Sequence, residues 1–252
     1  MPFGAIVHRL ESVASTNDAA RALALEGAAH GTAVVAREQT RGRGTKGRAW
    51  HSPAGLGLYA SFVVRGPGAG AVPLPHLLPL AAGLAASDAV AAAAGIEVRL
   101  KWPNDLVHGG LKLGGVLSEA VSAGPGGGFA VVGVGINVGH GPADFPAGLR
   151  GAATSLRMAG AVEATVDGLF AGLCRAFDSW YNALARGEKG RIVAAAEARL
   201  AFPPGRPVRV TTDAGSFTAV CRGLDPEGRL VVDRGGDAGT AVLDAVLGLE
   251  GA

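Results

Sequence analysis

Apolar and polar positions switch between two periods along this chain, and the switches mark out its elements. After Ser15 and Thr16 the run NDAARALALEG repeats with helical spacing and closes at Gly27. Ser15 with Asp18 matches a capping box. Thr32 to Ala36 reads as a buried strand, Leu58 to Val64 as a second, and Leu77 to Ala94 as a long Ala-rich helix. Glu97 to Trp102 returns as a strand. DLVHGGLKLGGVLSEAV then gives two apolar runs joined by Gly109-Gly110, a hairpin signal. A strand over Ala130 to Val138 and a helix from about Val166 to Leu184 complete the main body. Central strands flanked by helices predict an α+β domain with a mixed, largely antiparallel sheet.

The segment AFPPGRP, residues 201 to 207, punctuates the chain, because Pro203, Pro204 and Pro207 cannot extend a helix. Beyond it lie only the short strand patterns PVRVTT, SFTAVCRGL, RLVVD and TAVLDAV. The expected division is a domain over 1–202 and a small β-barrel over 203–252, packed on the first because so few residues bury little core alone. No tandem repeat is visible. The apolar region near residues 72 to 96 is broken by Pro73, Pro75, Pro79, Ser87 and Asp88. It therefore reads as a buried helix, since a membrane span needs about 20 predominantly apolar residues. The N-terminus MPFGAIVHRLES lacks the pattern of a secretory leader.

Composition adds little until charge is located. The chain of 252 residues is 48% hydrophobic and 17% charged with a net charge of +2, so it has no global footprint for nucleic acid. Its two cysteines, Cys174 and Cys221, are far apart, which suggests neither a disulfide framework nor a thiolate metal site and fits a reducing cytoplasm. Charge concentrates instead in EQTRGRGTKGRAWHS, Glu38 to Ser52, where Arg41, Arg43, Lys46 and Arg48 alternate with Gly42, Gly44 and Gly47. Such a loop receives anions, because glycines let backbone N–H groups converge and guanidinium forks bind carboxylate or phosphate in bidentate fashion. Like charges among glycines also predict that residues 41 to 52 are mobile until an anion arrives.

Several familiar patterns are absent. Residues 42 to 47 spell G-x-G-x-x-G, but Arg48, Trp50, Ser52 and Pro53 do not open the helix that a dinucleotide fingerprint requires. No P-loop or G-x-S-x-G elbow occurs, and the six histidines lack metal-ligand spacing.

Four further pieces join the cationic loop: Ser15-Thr16-Asn17, Lys101-Trp102-Pro103-Asn104-Asp105, the run KLGGVLSE from Lys112 to Glu119, and Gly133-Val134-Gly135-Ile136-Asn137. In this order the set closely resembles the catalytic domain of biotin protein ligases, from about residue 8 to residue 250. The resemblance implies a class II synthetase-like catalytic domain followed by an SH3-like barrel. It also implies biotin and ATP as substrates, Mg²⁺ as cofactor, and a biotin carboxyl carrier protein or domain as partner, in a cytoplasmic monomer or homodimer that engages neither nucleic acid nor membrane. By the same resemblance Lys112 and Arg43 are catalytic. Ser15, Thr16, Asn17, Gln39, Gly42, Gly44, Thr45, Gly115, Gly133 and Gly135 join those two around biotin. Arg41, Arg48, Trp50, Lys101, Asn104 and Asn137 serve ATP and the adenylate, and Asp105 is the metal ligand. Position 45 is Thr where some relatives carry another arginine, which leaves retention of the intermediate open. With the resemblance starting near residue 8, no winged-helix domain and no operator binding are expected.

Lipoate–protein ligase is the nearest alternative, since it shares the two-step logic, although GRGTKGRAW with KWPND resembles the biotin branch more. A nucleic-acid-binding module is disfavoured by the small net charge and by the lack of aromatic residues among the basic ones. A catalytically dead biotin sensor is disfavoured because Arg43, Lys112 and Asp105 are all present. No residue pattern identifies a general base for the transfer step.

Overall fold

Strand alternation in the first 137 residues closes into one seven-stranded sheet of order β1-β2-β3-β7-β6-β5-β4 in the computed structural model, which describes residues 1–67, 71–122 and 128–252. Its strands are β1 (Val7–Val13), β2 (Ala33–Gln39), β3 (Gly57–Arg65), β4 (Arg99–Lys101), β5 (Asp105–His108), β6 (Leu111–Ser122) and β7 (Gly128–Asn137). Only the β1–β2 pair is parallel; the other neighbours are antiparallel. The expected mixed, largely antiparallel α+β arrangement is therefore present. Strand β1 has no counterpart in the sequence reading. It lies at the sheet edge with its five central residues exposed, so its VHRLESV pattern carries no apolar face to detect.

Parity along the strands assigns each residue to a face. Ala33, Val35, Phe62, Val64, Ala130 and Val132 point into the main core with α2 (Leu78–Ala94) and α3 (Val166–Ala185). Val34, Val63 and Val131 point the other way, under Ala20 and Ala24 of α1 (Thr16–Leu25). The helical stretch Pro75–Ala94, which contains α2, is long and apolar enough to cross a membrane by length and composition, but it belongs to the core, with Leu78, Leu84, Ala85 and Val90 fully buried. Strand β4 is shorter than the expected Glu97 to Trp102. The β5–β6 hairpin turns at Gly109 and Gly110, both at positive φ, as the dipeptide predicts.

One local expectation fails. Ser15 occupies the N-cap of α1 with extended backbone, yet its side chain makes no capping bond. The Thr16 N–H is satisfied by Gln39 Oε1 at 2.8 Å instead, and Asp18 is drawn to Arg43, a stronger charge-assisted partner than a helix N–H.

The C-terminal segment forms a five-stranded antiparallel sheet of order β11-β10-β9-β8-β12. Its strands are β8 (Pro207–Thr212), β9 (Gly215–Leu224), β10 (Leu230–Asp233), β11 (Thr240–Leu243) and β12 (Gly248–Gly251). Two elements here lacked a clear signal: β12, only four residues long, and the short helix α4 (Lys189–Glu197). Helix α4 fastens the small sheet to the body, where Glu197 Oε2 accepts from the Leu224 N–H at 2.7 Å and Lys189 pairs with Glu227 at 2.8 Å. Trp102 Nε1 donates to the Gly228 carbonyl at 3.0 Å across the same junction.

Candidate active site

Helix α1 covers only half of its sheet face. The uncovered half carries Tyr59 and Ser61 from β3, Gly133, Gly135 and Asn137 from β7, and Gly115, Leu117 and Glu119 from β6. Gly115 pairs with Gly135, Leu117 with Gly133 and Glu119 with Val131. Glycine at Gly115, Gly133 and Gly135 lowers this floor, and the cationic loop folds over it. The result is a cavity of about 250 Å³.

Ser15, Thr16, Asn17, Gln39, Arg43, Gly44, Thr45, Arg48, Trp50, Asn104, Asp105, Lys112, Gly115, Gly133, Gly135 and Asn137 all line it. Three residues named from the sequence do not. Gly42 is buried beneath the loop, where a Cβ would come 2.6 Å from the Trp50 carbonyl and 2.7 Å from Ser52 Oγ. Arg41 is exposed, with its N–H bonded to the Ala14 carbonyl at 2.8 Å. Lys101 sits at the end of β4 in register with Asp105.

The loop is a short hairpin. Arg43 bridges to Ala49, the Gly44 N–H donates to the Arg48 carbonyl at 2.7 Å, and the Trp50 N–H donates to the Gly42 carbonyl at 2.8 Å. At its tip Lys46 adopts φ 59°, unusual for a residue with a side chain, and its Nζ donates to the Val246 carbonyl of the C-terminal segment at 2.6 Å. The indole of Trp50 lies on the glycine floor. A Cβ at Gly135 would approach its Nε1 to 2.7 Å, and Lys112 Nζ stands 5.3 Å from the ring centroid.

Two groups of polar side chains converge here. In the first, Gln39 Oε1 accepts from both the N–H and the hydroxyl of Thr16, at 2.8 and 3.0 Å, while Gln39 Nε2 donates to Ser52 Oγ at 2.9 Å. Ser61 Oγ, fully buried, donates to Asn17 Oδ1 at 2.6 Å and lies 2.8 Å from Thr16 Oγ1. In the second, Lys112 Nζ meets Asp105 Oδ1 at 2.6 Å. The backbone of Lys112 is held by the Ala152 carbonyl and the Thr154 N–H, both at 2.9 Å, and Asn137 Nδ2 donates to the Thr154 carbonyl at 2.9 Å. Asn137 thus pins the wall that carries Lys112.

The cations are not bare. The Arg43 guanidinium contacts Asp18 at 2.6 Å and Glu119 at 3.3 Å, and Lys112 is paired with Asp105, so each already has a carboxylate partner. The Arg48 guanidinium bonds only to Thr45, through its carbonyl and hydroxyl, among the described residues. Glycine demand also divides. A Cβ at Gly133 would collide with Asn17 Oδ1, whereas at Gly115 it would meet only ordinary contacts of 3.5 to 3.6 Å. Protein packing requires the first glycine and tolerates a methyl at the second.

Sequence reasoning missed Ser61, Glu119, His51 and the wall from Phe145 to Ala153. Ser61 was the one polar residue in an apolar strand, and Glu119 shares the face of Gly115 and Leu117 by alternation, so both had a signal. The wall is a loop with no periodicity to read.

The fold has known counterparts. Residues 10–137 match the biotin/lipoate A/B protein ligase family, and residues 205–242 match the biotin protein ligase C-terminal domain. A biotin–[acetyl-CoA-carboxylase] ligase of Paracoccus denitrificans is 36% identical, covering 92% of this chain and 95% of that protein. The bifunctional ligase/repressor BirA of Bacillus subtilis is 34% identical over 88% of this chain and 67% of its own length. Among solved structures, the biotin protein ligase of Aquifex aeolicus in complex with biotin and ATP superposes with a TM-score of 0.81 at 27% identity, covering 98% of this chain and 100% of that one. Matched by the family model over residues 10–137 and by a relative 36% identical over 92% of its length, this protein belongs to the biotin/lipoate A/B protein ligase family.

Proposed function

We propose that the protein condenses biotin with ATP to biotinyl-5′-AMP and pyrophosphate, then passes the biotinyl group to one lysine of a biotin carboxyl carrier protein or domain. The observation that carries this reading is one cavity lined by both a neutral hydrogen-bonding set, Thr16, Asn17 and Gln39, and a charged set, Lys112, Asp105 and Arg48. A urea ring needs the first and a carboxylate beside a triphosphate needs the second. The relatives that share the fold and carry ligase names act on biotin rather than lipoate, which favours the biotin branch.

In the first step a carboxylate oxygen of biotin attacks the α-phosphorus, and the bond to the bridging oxygen of the β-phosphate breaks. Two unit anions 4 Å apart repel by about 4 kcal/mol at an effective dielectric near 20, so oriented cations lower the barrier. Lys112 and Arg43 serve the reacting carboxylate and phosphoryl group, exchanging their carboxylate partners for substrate anions. Ser15, Thr16, Asn17 and Gln39 hold the ureido ring, with Gly44, Thr45, Gly115, Gly133 and Gly135 shaping its enclosure. Arg48, Asn104 and Asn137 attend the nucleotide and Trp50 covers it, whereas Arg41 and Lys101, outside the cavity, take no part in this reading.

Mg²⁺ takes one or two carboxylates and fills its shell with phosphate oxygens and water. The half-buried Asp105 carboxylate fits such a substrate-held ion, and no cluster of three or more ligands exists among the described residues to suggest a resident one. Asp105 would hold the ion, which neutralises triphosphate charge when bound.

In the second step the acceptor amine attacks the anhydride carbonyl, AMP leaves and one proton is lost. Deprotonating a lysine of ordinary pKa costs about 4.6 kcal/mol at pH 7. The use of ATP and the two buried free cysteines suit a reducing cytoplasm. Incubation with biotin, ATP, Mg²⁺ and a carrier domain, followed by mass measurement of the carrier, tests the reading: one added biotinyl group is expected. An unmodified carrier together with no biotin-dependent pyrophosphate–ATP exchange defeats it.

A further inference from the structure

The side-chain amide of Asn17 is held in one orientation, and Glu119 is what holds it. Asn17 Nδ2 donates to Glu119 Oε2 at 2.7 Å and to the Leu117 carbonyl at 3.4 Å, while Asn17 Oδ1 accepts from Ser61 Oγ at 2.6 Å. Turning the amide over would set its oxygen against the carboxylate, acceptor to acceptor. Both protons of Nδ2 are used and one lone pair of Oδ1 remains. That oxygen lies against Gly133, where a Cβ would strike it, and Asn17 and Gly133 both line the cavity.

The same accounting applies to Gln39. Its oxygen accepts twice from Thr16 and its nitrogen donates once to Ser52, which leaves one N–H. Of the two amides, Asn17 is the one whose free group, an acceptor, lies against the glycine floor of the cavity, the complement of a urea N–H. Glu119 does not itself line the cavity, and its other contact is to Arg43 at 3.3 Å.

Resting on the biotin ligase reading, we propose that Glu119 is a positioning residue for substrate recognition. Together with the Leu117 carbonyl, the other acceptor-only partner of Nδ2, it fixes the polarity of the Asn17 amide, and so makes the pocket select a ring N–H at that point. A carboxylate at 119 is needed because it only accepts, whereas a neutral amide there would let Asn17 turn.

The test compares kcat/KM in pyrophosphate–ATP exchange for biotin and for the two lactam analogues in which one ureido N–H is replaced by CH₂. The native protein should prefer biotin over one isomer by about 10- to 100-fold, the cost of leaving a buried acceptor unpaired. Glu119→Gln should bring that ratio close to one, mainly through KM for biotin. Asn17→Asp should also lose it, because two carboxylates would then face each other. The double variant Asn17→Asp with Glu119→Gln exchanges donor and acceptor across the contact and should restore the ratio, which no general folding defect would do. A ratio unmoved by Glu119→Gln, an equal loss on all substrates, or a double variant that fails to recover overturns the proposal. Absence of exchange in the native protein defeats the biotin reading itself, and the proposal falls with it.

Discussion

Lys112 Nζ lies 2.6 Å from Asp105 Oδ1, so the ammonium proposed to meet the reacting anions and the carboxylate proposed to hold Mg²⁺ are each other's partner. Both groups come from the β5–β6 hairpin, seven residues apart across the Gly109-Gly110 turn. The pair keeps each charge partly neutralised, and in the proposed reaction Lys112 would turn to the substrate anions and Asp105 would hold the ion.

This arrangement predicts unequal losses. Lys112→Ala should slow single-turnover adenylation by about 100-fold or more, the scale of removing one charge-stabilising donor, with a much smaller effect on biotin affinity measured by calorimetry. Native rates in that variant would remove Lys112 from the chemistry.

Asp18 offers a contrast. It was expected to cap α1 with Ser15, but its carboxylate holds Arg43 at 2.6 Å in a pair whose side chains are 55% and 41% exposed. Exposed pairs contribute less than about 1 kcal/mol, so Asp18→Asn should leave the denaturation midpoint almost unchanged. Its effect should appear in KM for biotin, through Arg43. A large loss of stability with unchanged kinetics would restore the capping role.

The loop tip is tied to the C-terminal segment through Lys46 and the Val246 carbonyl. Lys46→Met should therefore speed hydrogen exchange over residues 43 to 48 while leaving the core of the seven-stranded sheet protected. In the native protein, biotin with ATP should slow exchange across residues 41 to 52. Exchange in this loop that ignores both the substitution and the ligands would refute the clasp and the closure together.

How much of this was legible follows from where the information resides. Helix α1 announces itself through helical spacing, the β5–β6 hairpin through its Gly-Gly turn, and β3 and β7 through apolar runs, since both strands are buried on both faces. The edge strand β1 and the short helix α4 do not, since each buries few side chains and owes its place to neighbours. In the site, Lys112, Asp105 and Arg43 stood out by motif, whereas their mutual pairing is a tertiary property that no local pattern encodes. Ser61 lay one alternation from Tyr59 and could be placed on the site face only once β3 was registered against β7.

Acid sensitivity should trace to His140. This residue is fully buried and stacked on Phe145 with ring centroids 4.8 Å apart. Burial first, then the neighbouring His51 imidazole, lowers its pKa from 6.5 to about 4, partly offset by Asp144. The unfolded chain protonates this ring near pH 6.5 and the folded protein only near pH 4. Between those values the unfolded state binds the extra proton, so stability is constant above about pH 6.5, declines as pH falls toward 4, and levels off below. The full decline from this one group is at most about 3 kcal/mol. His30, likewise lowered to about 4 by burial and then by the N-terminal charge, acts over the same window, so the two contributions superimpose. His140→Phe keeps the aromatic stack and removes the titration. Urea denaturation of both proteins between pH 4 and 8 should show a clearly shallower slope for the variant, with the residual slope due in part to His30. Parallel curves would mean that His140 takes up its proton in the folded protein as readily as in the unfolded chain.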